Sequence, residues 1–123
     1  MFWCFHCYAV NDYPSGPCQA CGQPVEAPAG LSHVDDLIWT LGHPDADRAI
    51  VAAQILGKLK ARKSVPALRQ AAETGPDVYL RADALRSVLA IEDVESLRPW
   101  LVTLSRHAPF NVRAIARAAL QGG

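Results

Sequence analysis

A recurrence of about 33 residues constrains this 123-residue chain more than any other feature it carries. Arg48, Arg81 and Arg113 stand 33 and 32 residues apart, each followed by alanine or by an Ala-led apolar stripe. Pro44, Pro76 and Pro109 repeat at 32 and 33, and Pro66 and Pro99 at 33. Independent markers sharing one period indicate stacked units, none of which can bury its apolar face alone. In the first unit Ala49, Ala52, Ala53, Leu56 and Leu59 fall on one side of a helix. Ala82, Leu85, Val88 and Leu89 do the same in the second, and Val112, Ile115, Ala116, Ala119 and Leu120 in the third. Partner stripes lie between them: Val34, Leu37, Ile38 and Leu41; Val65, Leu68, Ala71 and Ala72; Leu97, Trp100, Leu101 and Leu104. The pattern predicts an all-α fold of three helical hairpins, with helices at about 33–42, 45–58, 64–74, 77–91, 94–106 and 110–121.

The N-terminal segment has a different character. Residues 1–30 contain no Lys or Arg, only Asp12 and Glu26, although the whole chain balances 12 basic against 12 acidic side chains. All four cysteines lie there, followed by a stretch rich in proline and lacking periodicity. The expected organisation is a cysteine module at 1–24, a linker at 25–31 and helical repeats at 32–123.

Cys4, Cys7, Cys18 and Cys21 form C-x2-C-x10-C-x2-C, a spacing that lets four thiolates converge on one tetrahedral ion. Four protein ligands leave no open position for water, so the expected role is structural. Zinc is the expected ion, since it is redox-inert and the usual occupant of small four-cysteine sites; iron takes the same ligands. Two disulfides are the alternative, and they need an oxidising compartment. His6, between the first two cysteines, is expected to be an exposed side chain, and His43 and His107 to sit at helix C-termini, where they complement the dipole.

With Trp3 ahead of Cys4, and Asn11 three residues beyond Cys7, the module reads W-C-x2-C-x3-N-x6-C-x2-C. This resembles the nucleoporin or Ran-binding-protein type of zinc finger over about 25 residues, with Trp3 one residue closer to the cysteine than the family places it. The resemblance implies either RNA or ubiquitin as ligand. RNA-binding members use an aromatic directly after the asparagine and an arginine pair; here Asp12 and then Tyr13 follow, with no arginine. Ubiquitin readers carry Thr-Phe after the second cysteine, where this chain has Tyr8-Ala9.

The string Asp47 to Gly57, followed by Val65-Pro66-Ala67-Leu68, resembles a HEAT repeat of the phycobilisome-lyase-like kind. That resemblance implies a short α-solenoid over 32–121 that acts through its surface rather than by catalysis. The expected whole is a zinc finger joined to HEAT-like repeats, either covering the first hairpin with Trp3 or Phe5 or tethered freely by the proline-rich linker.

Zero net charge disfavours a general nucleic-acid binder, and no apolar run approaches the ~18 residues of a membrane span. No catalytic set stands at recognisable spacing. The sequence therefore predicts a cytoplasmic, non-enzymatic module for a protein partner. Its candidate contacts are Tyr8, Tyr13 and the basic turn of Lys58, Lys60, Arg62 and Lys63. A nucleic-acid binder is the second expectation and a ubiquitin-like-modifier reader the third. Arg48, Arg81 and Arg113 are expected to pair with Asp45, Asp47, Asp77 or Asn111 at helix starts.

Overall fold

The computed structural model describes residues 1–122. A two-stranded hairpin, β1 (Phe2–Trp3) and β2 (Val10–Asn11), precedes six helices: α1 (His33–Thr40), α2 (Ala46–Leu59), α3 (Val65–Thr74), α4 (Val78–Ile91), α5 (Val94–His107) and α6 (Phe110–Gly122). Each agrees with its sequence-based expectation to within about two residues. Among the described residues, no helix is long and apolar enough to cross a membrane.

Side-chain caps set the helix starts. The Ser32 hydroxyl accepts the Asp35 N–H at 3.1 Å for α1, and Asp45 accepts Asp47 N–H at 3.1 Å for α2. Asp77 accepts Tyr79 and Leu80 N–H at 2.8 and 3.1 Å for α4, and Asp93 accepts Ser96 N–H at 2.8 Å for α5. Each cap satisfies donors that the helix itself leaves unpaired. Pro66 lies in the first turn of α3, where a missing N–H costs little.

The hairpins α1–α2, α3–α4 and α5–α6 stack so that α2, α4 and α6 form one layer, with α1, α3 and α5 on its other side. Leu56, Leu68, Leu80, Leu85, Val88, Leu101 and Val112 are fully buried between the layers. The expected stripes supply most of this core; Leu59, expected on the inward face of α2, is 51 % exposed at its last turn, and Leu80, outside the expected stripes, is buried. Ala49, Ala52 and Ala53 of α2 and Ala82 and Ala84 of α4 are buried as well, and their small side chains bring the helices close. The Ser87 hydroxyl donates to the Ala53 carbonyl at 2.6 Å, and a Cβ placed on Gly57 would lie 2.5 Å from Ser87 Oγ.

The arginine ladder departs from expectation. Arg48 pairs with Asp45 at 3.6 Å, as its spacing suggests. Arg81 instead donates Nε to the Ala72 carbonyl at 3.1 Å and Nη2 to Glu73 at 2.6 Å, capping the C-terminus of α3. Asp77 is left to cap α4. Arg113 lies over the Phe110 ring at 6.0 Å, and Asn111 donates to the Val78 carbonyl at 2.9 Å, tying the start of α6 to α4. The repeated position is kept while its partner changes from unit to unit.

Gly57→Ala tests the close approach of α2 and α4. Alanine favours helix by ~1 kcal/mol, yet overpacking costs ~1–3 kcal/mol, so urea unfolding is expected to show a net loss of about 1 kcal/mol.

Candidate metal centre

The two cysteine pairs sit on matching backbone turns. In the first, Cys4 N–H donates to Ala9 O at 2.8 Å and Tyr8 N–H to Cys4 O at 2.9 Å, while His6 N–H points at Cys4 Sγ at 3.3 Å. In the second, Cys18 N–H donates to Gln23 O at 2.8 Å and Gly22 N–H to Cys18 O at 3.0 Å, with Ala20 N–H 3.3 Å from Cys18 Sγ. The chain thus builds one knuckle twice, and β1–β2 pairing, with Phe2 opposite Asn11 and Trp3 opposite Val10, grips the first.

The four sulfurs converge. Cys4 and Cys21 Sγ are 3.7 Å apart, Cys7 and Cys18 Sγ are 3.6 Å apart, and all four lie within 4.8 Å of one another. A tetrahedron with sulfur about 2.3 Å from its centre has edges of about 3.8 Å. The set fits a metal ion, whereas a disulfide needs a bond of about 2.05 Å, so the thiols are free. Cys4 and Cys18 are buried; Cys7 and Cys21 are exposed.

Asn11, 2 % exposed, ties the knuckles together: its Oδ1 accepts Gln19 N–H at 3.0 Å and its Nδ2 donates to Ala9 O at 3.2 Å and towards Cys18 Sγ at 3.5 Å. The Asn11 amide, helped by the Cys21 and Ala20 N–H groups, pulls the Cys18 thiol down to about 6. At Cys7 a backbone hydrogen bond at Ala9 acts in the same direction, but desolvation and the three neighbouring sulfurs outweigh it and hold the thiol at about 12. A cation in the centre reverses that penalty, so binding it releases protons.

Val25 is 3 % exposed and packs on Cys4 and Cys18. It accepts Phe5 N–H at 2.9 Å and donates to Gly16 O at 2.9 Å. The packed module therefore includes a residue whose proline-flanked sequence reads as linker. His6 is exposed, as expected, with Nδ1 3.0 Å from Pro24 O.

Aromatic contacts hold this module against the first hairpin. Trp39 of α1 stacks with Phe5, at 5.4 Å and 11° between planes, and with Tyr8, at 4.9 Å and 23°. Its indole N–H donates to the Phe5 carbonyl, and the Tyr8 hydroxyl donates to the Trp39 carbonyl at 2.6 Å. Tyr8 reaches that position with φ at +64°, a conformation glycine normally supplies and Gly22 does supply, at +78°, in the second knuckle. Contacts with Trp39 offset the strain. Gly42 makes room, because a Cβ there would fall 2.5 Å from the Tyr8 hydroxyl.

His43 is not the solvent-facing helix cap that its position suggests. It is 4 % exposed, meets Trp3 in a T-shaped arrangement at 4.4 Å, and touches Trp39 and Tyr8 in the same way at 5.7 and 6.1 Å. Its Nδ1 accepts Asp45 N–H at 2.9 Å, which puts the proton on Nε2, an atom with no hydrogen-bond acceptor. Burial, with a smaller push from Arg48, moves its pKa below 6.5.

The remaining candidate residues lie apart from the sulfurs. Tyr13 donates its hydroxyl to Pro17 O at 2.6 Å. On the α2–α3 turn, Lys63 pairs with Asp35 at 2.5 Å and Arg62 with Glu92 at 3.7 Å. Lys63 holds the Asp35 carboxyl below its usual range, followed by a hydrogen bond from Ser32. Lys58 and Lys60 border a shallow trough between α2 and α4 together with Arg86.

Residues 34–121 match the family described as HEAT repeats. The chain belongs to the HEAT-repeat family. No curated protein and no solved structure matches it. The family match of this HEAT-repeat chain begins inside α1, so the sulfur site lies wholly outside it. Trp39, Gly42 and His43 receive that site on the HEAT side, and sequence reasoning gave none of them this task. The signal was Tyr8 itself, a bulky residue where the second knuckle has glycine.

Two outcomes test the junction. Gly42→Ala is expected to displace Tyr8, change tryptophan emission and lower stability by about 1–3 kcal/mol. Because His43 is held neutral, the unfolded chain binds more protons below pH ~6.5, so its contribution to stability falls as pH drops through the window beneath that value. The stability difference between the parent chain and His43→Phe is expected to shrink from about pH 7 to pH 5, as measured by urea unfolding at each pH.

Proposed function

We propose that this chain is a zinc-stabilised HEAT-repeat module that binds a protein partner and performs no catalytic step. The observation that carries the reading is the continuity between the two parts: a closed sulfur tetrahedron is stacked, through Phe5 and Tyr8, on a tryptophan of the first hairpin. Four sulfurs complete the coordination of an ion, so the metal has no position left for substrate or water. Zinc suits the site because it imposes tetrahedral geometry without redox chemistry. Four free thiols suit a reducing compartment, and we place the protein in the cytoplasm.

The buried Asn11 that spans both knuckles supports the resemblance to nucleoporin-type fingers, while the phycobilisome-lyase-like kind rests on the resemblance of Asp47 to Gly57 and Val65-Pro66-Ala67-Leu68. Tyr8 serves the partner indirectly, by fixing the module on α1. Tyr13 braces the loop before Cys18. The exposed Lys58 and Lys60 make no ion pair among the described residues, whereas Arg62 and Lys63 are engaged by Glu92 and Asp35.

Metal analysis of the purified protein is expected to give one zinc per chain, and none in the Cys18→Ser, Cys21→Ser double variant. Affinity capture by both forms, with and without nuclease, tests the partner class. A nuclease-resistant protein lost by the variant supports the reading. Nuclease-sensitive recovery of RNA or DNA replaces it with a nucleic-acid binder using Tyr13 and the basic turn.

A further inference from the structure

Charge is distributed along this chain as sharply as fold. The first 47 residues contain no Lys or Arg and six carboxylates: Asp12, Glu26, Asp35, Asp36, Asp45 and Asp47. All 12 basic residues follow from Arg48 onwards, so the zinc module, α1 and the start of α2 form an acidic end. Two of these acids are engaged, Asp35 by Lys63 and Asp45 by Arg48. Asp36 and Asp47 make no ion pair among the described residues, and the Glu26 carboxylate only accepts Gly16 N–H at 3.2 Å.

Two crevices of ≈ 330 and ≈ 490 Å³ open at this acidic end, and they share Asp36, Trp39, His43 and Arg48. Trp3, Phe5 and Glu26 line the first, between the module and α1. Asp47, Val51 and Ile55 line the second, between α1 and α2. Trp3 is half-buried, so part of its ring remains available to a ligand, whereas the Trp39 and Phe5 rings already stack on each other. Arg48 brings the only basic side chain among the lining residues, with Asp45 3.6 Å from it, and the Met1 ammonium adds a second positive charge at the first crevice.

Aromatic rings beside exposed, unpaired carboxylates attract cations, by the ring quadrupole and by the local negative field. A guanidinium suits this better than an ammonium, because it stacks on an indole while its edge bonds a carboxylate. From this juxtaposition we infer that the junction of the zinc module with the first hairpin binds a basic, arginine-containing peptide segment of the protein partner. The assignment rests on the interaction-module reading above and adds its partner's chemistry and docking place. The two crevices, joined across Asp36 and Trp39, accept successive side chains of one extended segment. A polyanion such as RNA meets the wrong charge here.

The test is a titration of the zinc-loaded full chain with acetyl-Ala-Arg-Ala-Arg-Ala-amide, followed by ¹H–¹⁵N spectra, with the lysine and glutamate versions as controls. The indole N–H signals of Trp3 and Trp39 and the Asp36 amide are expected to shift, most with arginine, less with lysine, and not with glutamate. Asp36→Asn combined with Glu26→Gln removes two charges and keeps an acceptor for Gly16 N–H. Its zinc content and melting temperature should stay unchanged while arginine-peptide binding weakens about fivefold or more. Unmoved Trp3 and Trp39 signals, equal binding by the double variant, or shifts at Lys58, Lys60 and Arg86 with the glutamate peptide would each overturn the assignment. If zinc content and partner capture hold while any of these occurs, only the crevice assignment fails; if zinc or capture fails, the broader reading fails with it.

Discussion

Trp39 is the contact on which the arrangement of this protein turns. One indole, half-buried on an eight-residue helix, is stacked against two rings and hydrogen-bonded at its N–H and at its backbone carbonyl, always by residues of the cysteine module. Repeat proteins bury each unit against its neighbours and need a cover at each end. Here α1 is short and, by itself, fully buries only Leu37. The module supplies the aromatic surface that this end lacks, and it has so little interior of its own that its rings find burial only by docking. The two parts solve complementary problems, and the sulfur site meets the helices through Tyr8 and Phe5.

The strained tyrosine makes the coupling mechanical. Tyr8 follows Cys7 directly, so the knuckle's shape sets where its ring goes. Its positive φ is held by the sulfur site on one side and by Trp39 and Gly42 on the other. An ion held by the four sulfurs would secure the first restraint, and its removal would release it. Relaxation of Tyr8 towards ordinary backbone geometry would then carry its phenol away from Trp39, which links metal occupancy to packing some residues distant from any sulfur.

Much of this was legible in the sequence because periodicity and ligand spacing are local, repeated signals. The 33-residue recurrence of arginine and proline placed all six helices, and C-x2-C-x10-C-x2-C placed the sulfur cluster. What escaped depends on contacts between segments far apart in the chain. Arg81 was expected to pair with an aspartate in its own turn, but the carbonyl ends of α3 lay nearer. His43 looked like a polar helix cap because nothing local reveals that Trp3, forty residues earlier, encloses it. Val25 read as linker since prolines flank it, yet its side chain completes the small core under Cys4 and Cys18. Gly42 carried no signal at all until the phenol it accommodates was in place.

The central claim is that the metal site and the repeats fold as one unit through the Trp39 contacts. Thermal unfolding followed by helical circular dichroism, with the metal bound and after chelation, tests it most directly, since few of the signals at that wavelength come from the module itself. The account predicts one transition when metal is bound and a helical midpoint lower by about 5 °C or more after chelation, corresponding to ~1–2 kcal/mol of lost docking. An unchanged helical midpoint, with the metal site melting separately, would contradict it.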